Sequence, residues 1–293
     1  MRCACVDIGS NTTRLLVAGA EAGRVAPVHA ERAFVRLAGG AAGAPVADEM
    51  VDLLAQVVAR QAALARRHGA QAVHVVGTAA LREAANRAAL VAAVREAAGL
   101  EVRVLAEEEE ARLTFAGAVA ALAAPPDGPV GVVDVGGGSS ELMVGTAAAG
   151  PSWTCSLPVG SGLLHERYVR SDPPGPDELE ALRTAVAEAF GAVRPPVKPS
   201  LALAVGGSAT SLARLAGGEL DAAGLERALA ALSSEPAARV AARTGLHPER
   251  VRLLPAGLVL LGAAADTLGM PLQVVAGGLR EGVVLHAAGG AWP

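Results

Sequence analysis

The chain has 293 residues, 52% of them hydrophobic but only 2% aromatic, and a formal net charge of −4. That length allows one large domain or two of ordinary size, and the core has to be aliphatic, packed with Ala, Val and Leu. The acidic balance excludes general nucleic-acid affinity, and Lys198, the only lysine, excludes a Walker A loop, which needs Gly-Lys-Ser/Thr. A polyanionic ligand on such a chain has to be met by a local arginine cluster.

Three strand-like runs open the chain, near residues 2–8, 13–19 and 24–34. A helix follows, with Asp48 and Glu49 in its first turn, Val51, Leu54, Val58 and Ala62 as an apolar stripe, Arg66, Arg67 and His68 in its last turn, and Gly69 as the stop. Then come a strand at 72–76, a helix at about 84–98, a strand at 102–105 and a helix from about 107 to 122. Ala124-Pro125-Pro126-Asp127-Gly128-Pro129 breaks the pattern and sets a domain boundary, giving domains of 1–123 and 124–293. The second block repeats the order: strands near 130–135, 141–145 and 153–158, helices, a buried strand at 201–205, more helices, a strand at 272–275 and a closing helix. That helix, 278–288, is a candidate to pack back on the first domain.

Residues near the N-terminus are interrupted by Asp7, Asn11 and Arg14 and do not read as a signal peptide. The longest apolar stretch, 253–265, contains Pro255 and stops at Asp266, so it reads as a buried helix too short to span a bilayer. The expectation is a soluble, cytoplasmic protein. Cys3, Cys5 and Cys155 read as free thiols, because no Cys-x-x-Cys or paired His accompanies them.

Chemistry concentrates in a pattern that occurs twice. Val6-Asp7-Ile8-Gly9-Ser10-Asn11-Thr12 and Val133-Asp134-Val135-Gly136-Gly137-Gly138-Ser139 each read as strand, tight turn, strand, with an Asp closing the first strand. The turns are expected to be built from residues that tolerate positive φ and to expose successive N–H groups as an anion nest. A single Asp-x-Gly hairpin is commonplace; two, opening two blocks of like order, suit a phosphate chain and a divalent cation. A third loop, Gly206-Gly207-Ser208, follows an apolar strand and opens a helix. It is either an anion site at a helix N-terminus or a tight turn with Ser208 as N-cap. Glu107-Glu108-Glu109-Glu110 reads as a solvated helix start favoured by the dipole, which leaves room for Glu110 to face elsewhere.

Taken together, Asp7-x-Gly9-Ser10-Asn11-Thr12, Gly77-Thr78-x-x-Leu81-Arg82, Glu109-Glu110-Ala111-Arg112, Asp134-x-Gly136-Gly137-Gly138-Ser139-Ser140-Glu141-Leu142 and Leu279-Arg280-Glu281-Gly282 resemble the exopolyphosphatase / guanosine pentaphosphate phosphohydrolase family of the actin-like ATPase superfamily. The likeness runs from Val6 to about Val284. It implies an α/β fold of duplicated ribonuclease-H-like domains facing each other across a cleft. It also implies Glu110 as the general base and Asp134, Glu141 and Asp7 as carboxylates for Mg2+ or another divalent cation. The phosphate-binding residues it implies are Gly9, Ser10, Asn11, Thr12, Arg14, Arg82, Gly136, Gly137, Gly138, Ser139, Ser140, Gly206, Gly207 and Ser208. Arg280 and Glu281 are expected to pair and fix the closing helix. Val275-Ala276 departs from the Ser-Asp that relatives often carry.

The implied activity is hydrolysis of terminal phosphate from inorganic polyphosphate, short chains preferred and released distributively, by a homodimer without nucleic-acid or membrane partners. Guanosine pentaphosphate hydrolysis is the near alternative. A sugar or acyl kinase of the same superfamily and a non-catalytic sensor are the distant ones.

Overall fold

The computed structural model describes residues 1–37, 43–124, 126–217 and 220–290; Pro125 of the expected boundary segment lies outside them. By compactness the chain divides into two units, Met1–Ala123 with Gly277–Pro293, and Ala124–Ala276.

The first unit begins with β1 (Arg2–Ile8), β2 (Thr12–Glu21) and β3 (Arg24–Phe34), an antiparallel meander, followed by α1 (Asp48–Arg67), β4 (Ala72–Gly77), α2 (Ala79–Glu83), α3 (Arg87–Ala98), β5 (Val102–Val104) and α4 (Glu107–Ala120). The sheet order is β3-β2-β1-β4-β5, with β4 and β5 added parallel to β1. Residues two apart share a face of a strand. Ala4, Val6, Ile8, Leu15 and Val17 therefore pack one way, with Leu54, Val58, Leu90 and Val94 of α1 and α3. Cys3, Cys5, Leu16 and Ala18 pack the other way. Burying each such Leu or Val is worth about 1.5–3 kcal/mol. As the sequence indicates, α1 carries Asp48 and Glu49 in its first turn, Arg66 and Arg67 in its last, and Gly69 just beyond at φ +81°.

The second unit has β6 (Val130–Val135), β7 (Ser140–Thr146), β8 (Gly150–Leu157), α5 (Ser161–Tyr168), α6 (Pro176–Phe190), β9 (Leu201–Val205), α7 (Gly206–Ala216), α8 (Ala222–Ser234), α9 (Ala237–Thr244), α10 (Pro248–Arg252), α11 (Leu254–Leu268) and β10 (Gln273–Val274). Its sheet, β10-β9-β6-β7-β8, repeats the first unit's connectivity. The apolar run near 253–265 is α11, with Leu258, Leu260, Leu261 and Ala264 in the core and Pro255 in its first turn. No helix among the described residues is long and apolar enough to cross a membrane.

The structure corrects one expectation. The helix expected at about 84–98 is α3, beginning at Arg87, and an unexpected short helix, α2, precedes it with an extended Ala84 between them. Asn86 makes the break: its side-chain amide accepts from the Val46 N–H (2.9 Å) and donates to the Val46 carbonyl (2.8 Å). By compactness α12 (Leu279–Ala288) groups with the first unit, the placement for which the sequence made it a candidate. There Leu279, Val283, Val284 and Ala287 cover the Cys3, Cys5 and Leu16 face of the sheet. Its approach to α4 is backbone on backbone: a Cβ on Gly282 would lie 1.9 Å from the Leu113 carbonyl oxygen, and one on Gly117 2.0 Å from that of Gly278.

Candidate functional site

The second unit's hairpin turns at Gly136–Ser139, closed by the Gly136 N–H donating to the Ser139 carbonyl at 2.9 Å. None of these residues sits at a left-handed φ, contrary to the expectation; among the hairpins, that geometry occurs at Ala22 and Gly23, between β2 and β3, and at Gly150, where β8 begins. Crowding beside this turn falls on Gly160. The start of α5 lies against the turn, so that a Cβ on Gly160 would come within 2.4 Å of the Gly137 carbonyl carbon. The Ser161 N–H and hydroxyl both donate to the Gly136 carbonyl (2.9 and 3.0 Å), and the Gly162 and Leu163 N–H groups donate to that of Gly137 (2.9 and 3.1 Å). In a trans peptide the C=O and N–H point opposite ways. Two carbonyls drawn toward α5 thus aim the N–H groups of Gly137 and Gly138 away from it, which makes a two-donor nest for an anion.

Gly160, Ser161 and Gly162 hold this turn, a role that carries no signal of its own in the sequence. Gly-Ser-Gly after a strand marks a helix start, but which turn that helix holds is a tertiary fact.

Asp134 and Glu141 are direct cross-strand partners on β6 and β7, so their side chains share one face. Ser156 of β8 extends the row, its hydroxyl donating to Glu141 Oε1 at 3.5 Å. Beside them lies the β9–α7 turn. Gly206 has φ +83°, and a Cβ there would lie 2.4 Å from Asp134 Oδ1, so both conformation and space demand glycine. Val205, not Ser208, is the N-cap of α7. Ser208 is buried; its hydroxyl donates to the Val135 carbonyl (3.1 Å) and accepts from Arg250 Nη2 (3.1 Å), while Arg250 Nε donates to Ser211 Oγ (3.3 Å). Ser140 is also buried, its hydroxyl donating to the Val159 carbonyl at 2.6 Å. These two hydroxyls are turned inward and brace the loops expected to hold phosphate.

The first unit's hairpin turns at Gly9–Thr12, closed by the Gly9 N–H donating to the Thr12 carbonyl at 3.1 Å. Its support differs: the Asn11 carbonyl accepts from the N–H groups of Val35 (3.2 Å) and Arg36 (3.1 Å). Opposite Asp7 stands Arg14, at the register position that Glu141 holds opposite Asp134. Arg14 Nε donates to Thr12 Oγ1 at 3.3 Å.

The glutamates that open α4 differ in exposure and in how closely they are held. Glu107 is 62% exposed and lies 3.8 Å from Arg82 Nη2, whereas Glu110 is 16% exposed and accepts from Arg82 Nη1 at 2.7 Å. Glu109 pairs with Arg103 at 2.6 Å. Arg82 also donates to the Leu105 carbonyl at 2.9 Å. The arginine expected to grip the phosphate chain is therefore bonded to the expected base. Arg280 and Glu281 approach to only 4.0 Å, and Arg280 Nη1 reaches the Leu15 carbonyl at 3.5 Å; the glycine contacts fix α12 more firmly than this pair.

Among the described residues no three His, Cys, Asp or Glu side chains form a ready-made metal cage. Asp134 and Glu141 nevertheless suit magnesium, which takes one or two carboxylates and completes its shell with water and substrate oxygens.

The Ppx/GppA phosphatase family profile matches residues 16–289. Exopolyphosphatase 1 of Mycobacterium leprae is 31% identical over 304 residues, covering 98% of this chain and 89% of the relative. Among solved structures, the Aquifex aeolicus Ppx/GppA protein superposes with a TM-score of 0.80 at 25% identity, covering 98% of this chain and 97% of that one. An exopolyphosphatase from Cytophaga hutchinsonii superposes at 0.85 with 21% identity, over 100% and 99% of the two chains, which speaks for the fold.

Proposed function

The chain belongs to the Ppx/GppA phosphatase family, and from that premise we propose that it is an exopolyphosphatase, a hydrolase of phosphoanhydride bonds that removes the terminal phosphate of inorganic polyphosphate. The observation that carries this reading is the 31% identity with an exopolyphosphatase over 98% of the chain.

In this reading Glu110 takes a proton from water as the water oxygen bonds to the terminal phosphorus. The bridging P–O bond breaks, releasing orthophosphate and a chain one unit shorter. Arg82, bonded to Glu110 Oε2 at 2.7 Å, fixes the plane of the carboxylate. The N–H groups of Gly137 and Gly138 bind phosphoryl oxygens, and the turns at Gly9–Thr12 and Gly206–Ser208 supply further phosphate contacts. Asp134 and Glu141 would hold a divalent cation, magnesium in our reading, and the ion would supply charge neutralisation to phosphoryl oxygens. Positioning and charge stabilisation account for most of the rate in phosphoryl transfer, with a general base worth roughly 10²–10⁴-fold.

Phosphate release measured side by side from polyphosphate, guanosine pentaphosphate and ATP plus sugars, with magnesium, tests the proposal. Polyphosphate should be the preferred substrate. Faster release from guanosine pentaphosphate, or phosphoryl transfer to a sugar, would replace it. The reading also takes the protein as cytoplasmic and dimeric, and sedimentation decides the oligomeric state.

A further inference from the structure

Across the first three strands of the first unit, Asp7, Arg14 and Arg32 stand in one row: Asp7 pairs with Arg14 between β1 and β2, and Arg14 with Arg32 between β2 and β3. Directly opposed residues of an antiparallel pair have their side chains on one face with Cβ atoms about 5 Å apart, and like charges there are destabilising. Arg280 of α12 adds a third guanidinium. Burial around Arg32, together with the charges of Arg14 and Arg280, presses its pKa down to about 10, which leaves it charged at neutral pH.

The carboxylates at hand do not balance this set. Asp7 faces Arg14, and Glu281 lies 4.0 Å from Arg280. Neighbouring Glu31 is held by Arg60 through two bonds, of 2.9 and 2.8 Å. The Arg32 side chain has no hydrogen bond or ion pair among the described residues. Its alternation with Glu31 and Ala33 along β3 puts it on the Arg14 face. A chain of net charge −4 has no general reason to gather three cations. A surplus arginine kept beside two others fits a bound polyanion, because the planar guanidinium donates in pairs to phosphate oxygens.

We propose that Arg32 is a substrate-binding residue, which with Arg14 and Arg280 forms a cationic subsite for phosphate groups of the polyphosphate chain. The proposal rests on the exopolyphosphatase reading for the identity of the chain, though not for the existence of the subsite. Arg32 touches non-reacting phosphates, so it sets KM rather than the chemical step.

The test compares the wild type with Arg32→Met and Arg32→Lys, using thermal unfolding and kinetics at low salt. Without ligand, Arg32→Met should melt at or above the wild-type temperature, since it removes a repulsion. Sodium tripolyphosphate should raise the wild-type midpoint more than that of Arg32→Met, because ligand stabilisation follows affinity. KM for polyphosphate should rise roughly tenfold in Arg32→Met, the scale of one charged hydrogen bond, with kcat held. Arg32→Lys should recover part of both effects. A lower ligand-free midpoint for Arg32→Met, with tripolyphosphate protection and KM as in the wild type, would overturn the subsite and make Arg32 structural. If the wild type is protected by tripolyphosphate yet releases no phosphate from polyphosphate, the functional reading fails while the midpoint shifts still decide the role of Arg32.

Discussion

Glu110 and Arg82 show how a residue's role depends on its bonded neighbour. Both are half of one ion pair at 2.7 Å, each less than a fifth exposed. Glu110→Gln keeps the shape and removes the proton acceptor, so turnover should fall by roughly 10²–10⁴-fold. Arg82→Ala should also slow the wild-type enzyme, because the carboxylate loses the group that holds it. Contacting residues couple rather than add. In the Glu110→Gln background, Arg82→Ala should therefore cost little more. Steady-state kinetics on the four proteins of this cycle checks it. Losses that multiply, with KM raised in both backgrounds, would return Arg82 to the phosphate chain.

Among the elements, α5 and α6 depend on short-range backbone capture. The Gly136 turn is oriented by the start of α5, while the start of α6 is tied by Glu178. Its carboxylate accepts from the N–H groups of Gly175 (2.8 Å), Arg170 (2.6 Å) and Ser171 (3.0 Å), and from the Ser171 hydroxyl. The Ser171 hydroxyl first, then the Gly175 N–H, lowers its pKa from 4.5 to about 2. A carboxyl group with a depressed folded pKa stabilises the fold above its unfolded pKa, and the benefit is lost as pH falls toward the folded value. Glu178→Gln should thus be less stable than the wild type at pH 7. The difference should shrink between pH 4.5 and about 2. The group is partly open to solvent, so the gap is modest at its greatest. Denaturant melts across that range measure it; a gap independent of pH would show that the amide replaces the carboxylate fully.

At the scale of the whole molecule, the two units differ in how the chain supplies them. Ala124–Ala276 is one continuous stretch with its own core, whereas the first unit needs Gly277–Pro293 to complete it. Residues 124–276 expressed alone should melt cooperatively. Residues 1–123 alone leave Cys3, Cys5, Leu16, Ala18 and Val76 without the Leu279, Val283 and Val284 cover, an exposed apolar face that a soluble monomer rarely tolerates. That fragment should bind a hydrophobic dye, and appending residues 277–293 through a flexible linker should abolish the binding. Calorimetry and dye fluorescence read both outcomes. Equal dye binding with and without the appended residues would mean that α12 is dispensable to the first unit.

Local pattern by itself determined most elements, the duplicated sheet order and the identity of the two Asp-x-Gly hairpins. Alternating apolar residues, charged helix ends and glycine stops act within a few residues of one another, and all of that information lies in neighbouring letters. The close backbone contact of α12 with α4, the break at Asn86 and the partner of Arg82 were decided only by tertiary structure. Each depends on residues far apart in the chain: Gly282 against Leu113, Asn86 against Val46, Arg82 against Glu110. The glycine-rich turns carry the same lesson. The Asp-x-Gly-Gly-Gly motif correctly marked where the chain reverses, but none of its glycines sits at a left-handed φ. Space acts on the neighbours of these turns, because a Cβ on Gly160 would strike the Gly137 peptide and one on Gly206 would strike Asp134. No count along the sequence shows that crowding, since it arises where separate segments are packed against one peptide plane.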